Sequence, residues 1–158
     1  MADFTALRGI VCPVVSPCTS NEGVDYDSLQ ENLARLLRAP ITGFYVCGGT
    51  GDGSRLTFAE RCRTAELTIA QTRAAGRRTI VHVGQTLQRH ALELADCAMA
   101  LGADAVLIGR PFVNMVYGGG FEGVQVYVDK LKAELADTMA MCGAHCLADI
   151  KRSMLYGY

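Results

Sequence analysis

Charge of one sign is what this chain most lacks. Its 15 Lys and Arg stand against 16 Asp and Glu, a formal net charge of −1, and no basic run reaches four residues. That excludes the electrostatic footprint of a nucleic-acid or anionic-membrane binder. Lysine is confined to Lys130, Lys132 and Lys151. Four prolines against seventeen glycines argue for tight strand-to-helix turns rather than a disordered Pro-rich chain. No apolar run approaches the roughly 18–20 residues of a membrane span. The opening residues, MADFTALRGIVCPVV, place no charged stretch ahead of a long apolar one, so no signal peptide is expected. Seven cysteines is an odd number, and Cys12, Cys47, Cys62 and Cys97 sit inside apolar periodic segments. They are expected to be buried reduced thiols of a cytoplasmic protein rather than a disulfide framework.

What is present is an alternation of short β-branched runs with longer helical patterns. A length of 158 residues suits a single domain with a sizeable core. Strands are expected at Gly9–Val15, Gly43–Cys47, Thr79–Val83 and Ala103–Ile108. Helices are expected over Asp25–Arg38, from Thr57 to about Ala75, over Thr86–Leu101, over Glu122–Cys142 and, last, over Leu147–Leu155. Thr57 and Glu60 have the spacing of a capping box, and Gly76, Gly102 and Gly143 stand where helices stop. A glycine loop, Gly118 to Gly120, is expected before the fifth-strand-less tail helix.

Four consecutive βα units imply an α/β fold with a parallel sheet and right-handed crossovers. They amount to half of an eight-stranded βα barrel, which takes about 250 residues. A half-barrel leaves two open strand edges and an uncovered inner face. Pairing of two copies into a homodimer would close eight strands, and a flattened flavodoxin-like sheet is the alternative.

Several motifs in the first hundred residues occur in a telling order. They are Leu7-Arg8-Gly9-Ile10, Ser16-Pro17, Gly23-Val24-Asp25, Tyr45-Val46-Cys47-Gly48-Gly49-Thr50-Gly51-Asp52, Leu56-Thr57 with Glu60-Arg61, and Val81-His82-Val83-Gly84. Residues 1–100 thereby resemble the N-acetylneuraminate lyase and dihydrodipicolinate synthase family of pyruvate-handling aldolases. The resemblance implies a TIM-barrel fold and carbon–carbon lyase chemistry on 2-oxo acids. Independently, a Gly-rich turn at a helix approach can present outward amides as a small anion nest. In the family this turn holds the 2-oxo-acid carboxylate, which assigns that role here to Gly49, Thr50 and Gly51. One family hydroxyl is replaced by Gly49.

Residues 101–158 carry different motifs. Gly102-Ala103-Asp104-Ala105-Val106-Leu107-Ile108-Gly109-Arg110-Pro111-Phe112, then Gly123-Val124, Leu135 to Gly143 and Leu147-Ala148-Asp149-Ile150, resemble the end of FMN-dependent α-hydroxy-acid oxidases. That resemblance implies FMN-phosphate binding by Gly109 and Arg110, and late βα loops of barrels do hold phosphates. The sequence therefore reads as a chimera within one domain, 1–158, with Ala100 to Val106 as the crossover.

The catalytic groups of both families are missing. A class I aldolase needs a Schiff-base lysine, and none of the three lysines stands at the end of an apolar strand. The oxidase motif that supplies a proton-abstracting histidine is absent as well. His82 is expected to be a core histidine, and His90 a solvent-side one. Cys142, His145 and Cys146 form one loose cluster without the second ligand pair of a zinc site, so no metal is expected. No catalytic residue is assigned and no cofactor is required. The expected ligand is a 2-oxo acid, with FMN or phosphate as the alternative; lyase activity would need a complementing chain.

Overall fold

The computed structural model describes residues 8–107 and 109–154, without the side chains of Gln88, Arg110, Pro111 and Arg152. These residues fall into two compact units that divide after Leu107.

The first unit holds three complete βα units and a fourth strand. Its elements are β1 (Val11–Pro13), α1 (Tyr26–Leu36), β2 (Gly43–Val46), α2 (Phe58–Ala74), β3 (Arg78–His82), α3 (Gln88–Leu101) and β4 (Ala105–Leu107). The four strands pair in parallel in the order β1-β2-β3-β4. A sheet whose spatial order follows its chain order is the barrel progression, whereas a flavodoxin-like sheet reverses order at its first strand. The chain is thus of the half-barrel type, with β1 and β4 as its edges.

Local chemistry sets the helix ends. Asp25 caps α1 by accepting from the Ser28 amide at 3.1 Å. Thr57 and Glu60 close the expected capping box at α2: the Thr57 amide donates to Glu60 Oε2 at 2.9 Å, and the Glu60 amide to Thr57 Oγ1 at 3.2 Å. At the other end of α2, Gly76 has φ +67°. The Gly76 and Arg77 amides return to the carbonyls of Arg73 and Thr72, a Schellman turn. Gly102 ends α3 at φ +78° in the same left-handed region.

Strand alternation separates two faces. Phe44, Val46, Thr79 and Val81 are buried toward the helices, against Leu29 and Leu33 of α1 and Ala65 and Ile69 of α2. Tyr45, Ile80 and His82 face the other way and are half-buried. Burial on both faces is the usual state of a parallel sheet; here only the helix-covered face is sealed. Toward the β4 edge even the helix-side row opens, with Val106 48% exposed.

One expectation about side chains is corrected. Cys62 of α2 and Cys97 of α3 are not free thiols; they are paired as a disulfide, their Cα atoms 6.3 Å apart. Their helices lie side by side, which the spacing of cysteines along the chain could not reveal. The buried stripe of α2, moreover, is polar: Arg61, Thr64, Thr68 and Thr72 alternate with Ala65 and Ile69. Thr68 and Thr72 satisfy their hydroxyls by donating to the carbonyls four residues earlier, both at 2.8 Å.

The second unit is mostly α4 (Arg110–Met141), interrupted at Gly120, whose φ of 56° and ψ of −140° are not helical. Residues 110–119 are helical where no helix was expected, and the glycine loop is reduced to a sharp reversal. Phe112 meets Tyr127 edge-on at 5.1 Å between ring centroids. Along one straight helix those residues would stand about 22 Å apart, so the segments fold back as a helical hairpin. A Cβ on Gly123 would lie 2.6 Å from the Met115 carbonyl oxygen, which explains the glycine there. The expected final helix resolves into two single 3-10 turns, Leu147–Asp149 and Arg152–Met154. Ile108 and Leu155, the expected ends of the fourth strand and last helix, lie outside the described residues. No helix among the described residues is long and apolar enough to cross a membrane.

Candidate functional site

The carboxyl end of β2 runs into the Gly-rich turn, and packing dictates where its glycines fall. A side chain on Gly51 would place Cβ 2.7 Å from the Val14 carbonyl oxygen, and one on Gly53 would collide with the Cys47 carbonyl. Ser16 pins the turn to the end of β1 by donating to the Gly51 carbonyl at 2.7 Å. The amides of Gly51, Asp52 and Gly53 are spent inside the turn, on the carbonyls of Gly48 and Gly49 at 3.0–3.2 Å. Those of Gly49 and Thr50 have no partner among the described residues, and both residues are exposed. Of the three residues expected to hold a carboxylate, Gly51 therefore supports the turn, while Gly49 and Thr50 present donors.

One ring from the half-buried sheet face adjoins this turn, and a second lies beside the first. Tyr45 lies against Gly48, where an added Cβ would be 2.6 Å from the phenol oxygen. His82 meets Tyr45 edge-on, their ring centroids 6.1 Å apart. Burial raises the Tyr45 phenol above its ordinary range, against the opposing pull of Arg61.

Beneath them sits Arg61, 2% exposed and the one charged side chain buried among the described residues. It donates to the Gly84 carbonyl at 3.1 Å and to the His82 carbonyl, and approaches His82 Nδ1 at 3.4 Å. No carboxylate partners it, and its Nε has no acceptor among the described residues. Burial lowers the Arg61 pKa and pushes the Cys47 thiol up to about 11. Cys47 is consequently a packed thiol rather than a nucleophile.

Sequence reasoning missed Tyr45 and Arg61. Tyr45 carried a usable signal, because it alternates with Phe44 and Val46 and so points off the helix-packed face. Arg61 carried none apart from its neighbour in the capping box. His82 was expected in the core; it is half-buried beside Tyr45.

The other candidates lie in the second unit. Gly109 is the N-cap of α4, with open space where a Cβ would stand. The side chain of Arg110 is outside those described. Asp149 accepts from the His145 and Cys146 amides at 2.9 and 3.0 Å, which holds its carboxyl below the usual range. Among the described residues no group of three His, Cys, Asp or Glu is placed to hold a metal ion.

Comparison with known proteins also divides the chain, with the boundary inside α3 rather than after Leu107. The family model for FMN-dependent dehydrogenase matches residues 97–157. The chain is 33% identical over 109 residues to 4-hydroxy-tetrahydrodipicolinate synthase of Methanopyrus kandleri, covering 68% of this chain and 36% of the relative. It is 30% identical over 107 residues to N-acetylneuraminate lyase of Mus musculus, 67% of this chain and 33% of the relative. Among solved structures, dihydrodipicolinate synthase of Agrobacterium tumefaciens superposes with a TM-score of 0.60 at 29% identity, covering 65% of this chain and 34% of that one. N-acetylneuraminate lyase of Proteus mirabilis does so with 0.59 at 28% identity, covering 62% and 33%. The chain spans about a third of the length of the curated relatives it matches. It is composite, one segment similar to these synthases and lyases and another to the flavin family.

Proposed function

We propose that this chain binds the carboxylate of a 2-oxo acid at the turn after β2, and that it carries out no Schiff-base chemistry alone. The observation behind this reading is the pair of unspent, exposed amides at Gly49 and Thr50, with the Thr50 hydroxyl beside them. Three donors on two adjacent residues at a barrel-type strand end suit a small anion. The buried cation of Arg61, without a carboxylate, keeps the neighbourhood favourable to negative charge. Likeness to the synthases and lyases supports a 2-oxo acid as the anion.

Turnover would require an amine to form the imine. Lys130 and Lys132 are exposed on α4 and paired with Glu134 and Asp129 at 3.6 and 3.9 Å. Lys151 is exposed next to a 3-10 turn. None belongs to a strand, where a desolvated nucleophile would be formed. A second copy joined edge to edge would complete eight strands and enclose the face that carries Tyr45 and His82.

A second reading has its own observation, the flavin-family match over 97–157. It gives Gly109 and Arg110 an FMN phosphate at the start of α4, where helix amides favour anions. Flavin absorbance that co-elutes with the protein in gel filtration would favour it.

The test is calorimetric titration with pyruvate, paired with borohydride reduction and intact-mass analysis. Weak binding, lost in Thr50→Val and accompanied by no covalent adduct, is expected. Undiminished binding by Thr50→Val, or a reduced adduct on any lysine, would overturn the proposal.

A further inference from the structure

We infer that the first unit has another anion site, at the amino end of β3, suited to a phosphate or small phosphomonoester. A cavity of about 240 Å³ opens there, lined by Thr72, Arg73, Arg77, Arg78, Thr79 and Asp104 among others. Three guanidinium groups thus share a cavity with a single carboxylate, a formal excess of two positive charges.

The hydrogen bonds show how that excess is held. Arg73 is fixed by the carbonyls that end α3, donating to Gly102 at 2.6 Å and to Leu101 at 3.2 Å. Arg78 is fixed by Asp104, Nη1 to Oδ1 at 2.7 Å. The other Asp104 oxygen accepts from the Thr79 amide at 2.8 Å, and Arg77 forms no bond to either oxygen. Arg77 is half-buried, and its side chain has no hydrogen bond or ion pair among the described residues.

Each guanidinium carries five N–H donors, and most of these remain unspent. Arginine forks match the oxygen spacing of phosphate, and Arg73 and Arg78 are already oriented by their own partners. The backbone is fixed as well, because the Schellman turn at Gly76 sets the positions of Arg73 and Arg77 relative to each other. It also occupies the Thr72 and Arg73 carbonyls of the last turn of α2. The cavity is smaller than ordinary drug-sized pockets of about 300–1,000 Å³, which favours a compact oxyanion. Lying at the amino ends of the strands, it is separate from the turn at Thr50, and its occupancy would stabilise the α2–β3–β4 region rather than contribute to chemistry.

Inorganic phosphate is the probe, followed by calorimetry and by thermal unfolding against sodium chloride of matched ionic strength. The wild type is expected to show saturable binding and a raised Tm that salt does not reproduce. Arg77→Gln, which removes no bond of the fold, is expected to weaken binding by roughly tenfold or more. Thr50→Val and Arg110→Gln are expected to bind phosphate as the wild type does. Equal binding by Arg77→Gln, loss in Thr50→Val or Arg110→Gln, or a Tm shift matched by chloride would each overturn the inference.

Discussion

Arg61 at the start of α2 donates to the backbone carbonyl of His82 at the end of β3, and its other terminal nitrogen reaches Gly84. A buried cation thereby substitutes for a strand partner at the mouth of the half-barrel. Arg61→Met keeps the volume but strands two carbonyls without donors. Hydrogen bonds to charged groups are worth about 1.5–3 kcal/mol each, so a loss of about 2–4 kcal/mol is expected in urea unfolding. Arg61→Lys, which still reaches one acceptor, should lose less.

The helix caps predict the acid limb of stability. Hydrogen bonds hold the Glu60 and Asp25 carboxyls below their ordinary values of 4.5 and 3.8, through the Thr57 amide and hydroxyl and the Ser28 amide and hydroxyl respectively. Depressed folded values mean the contribution is complete above those ordinary values and is lost as pH falls through the lower folded ones. Unfolding midpoints should therefore drop below about pH 4.5. Thr57→Ala should cost about 1 kcal/mol at neutral pH, and Thr57→Ala with Glu60→Gln should flatten the acid limb.

Thr72 and Thr79 form a buried hydroxyl pair 2.6 Å apart, between α2 and β3. Thr72→Val leaves the Thr79 hydroxyl without its partner, at about 1–2 kcal/mol, whereas Thr79→Val leaves Thr72 still donating to the Thr68 carbonyl and should cost less. The double variant Thr72→Val, Thr79→Val removes both polar groups and should cost less than the sum of the two. Urea midpoints of the four proteins complete the cycle.

The sheet edges predict association. Leu107 of β4 continues the half-buried inner face and is 37% exposed. Closure of two half-barrels would bury it, so light scattering should report a dimer whose affinity falls tenfold or more in Leu107→Lys. A monomer at all concentrations would remove the two-copy arrangement.

Four βα units, their parallel order and most helix ends were legible because they rest on local signals: the Thr57–Glu60 box, Gly76, Gly102, and the Leu29–Leu33 spacing. The buried stripe of α2 was not, since threonines that bond their own helix leave no apolar period. Nor was the Cys62–Cys97 pairing, which depends on helix adjacency. The helix before Gly120 was hidden by three consecutive glycines, of which only the last breaks the helical backbone. At the candidate site, the turn was legible from glycine spacing, whereas the rings beside it came from strand facing and the buried arginine from tertiary packing.

The carboxylate nest is tested most directly by following backbone amide resonances of the ¹⁵N-labelled chain during titration with pyruvate. Saturable shifts centred on Gly49 and Thr50, absent in Thr50→Val, are predicted. No shift there at millimolar pyruvate, or shifts confined to residues of the second unit, would contradict a 2-oxo-acid site at the end of β2.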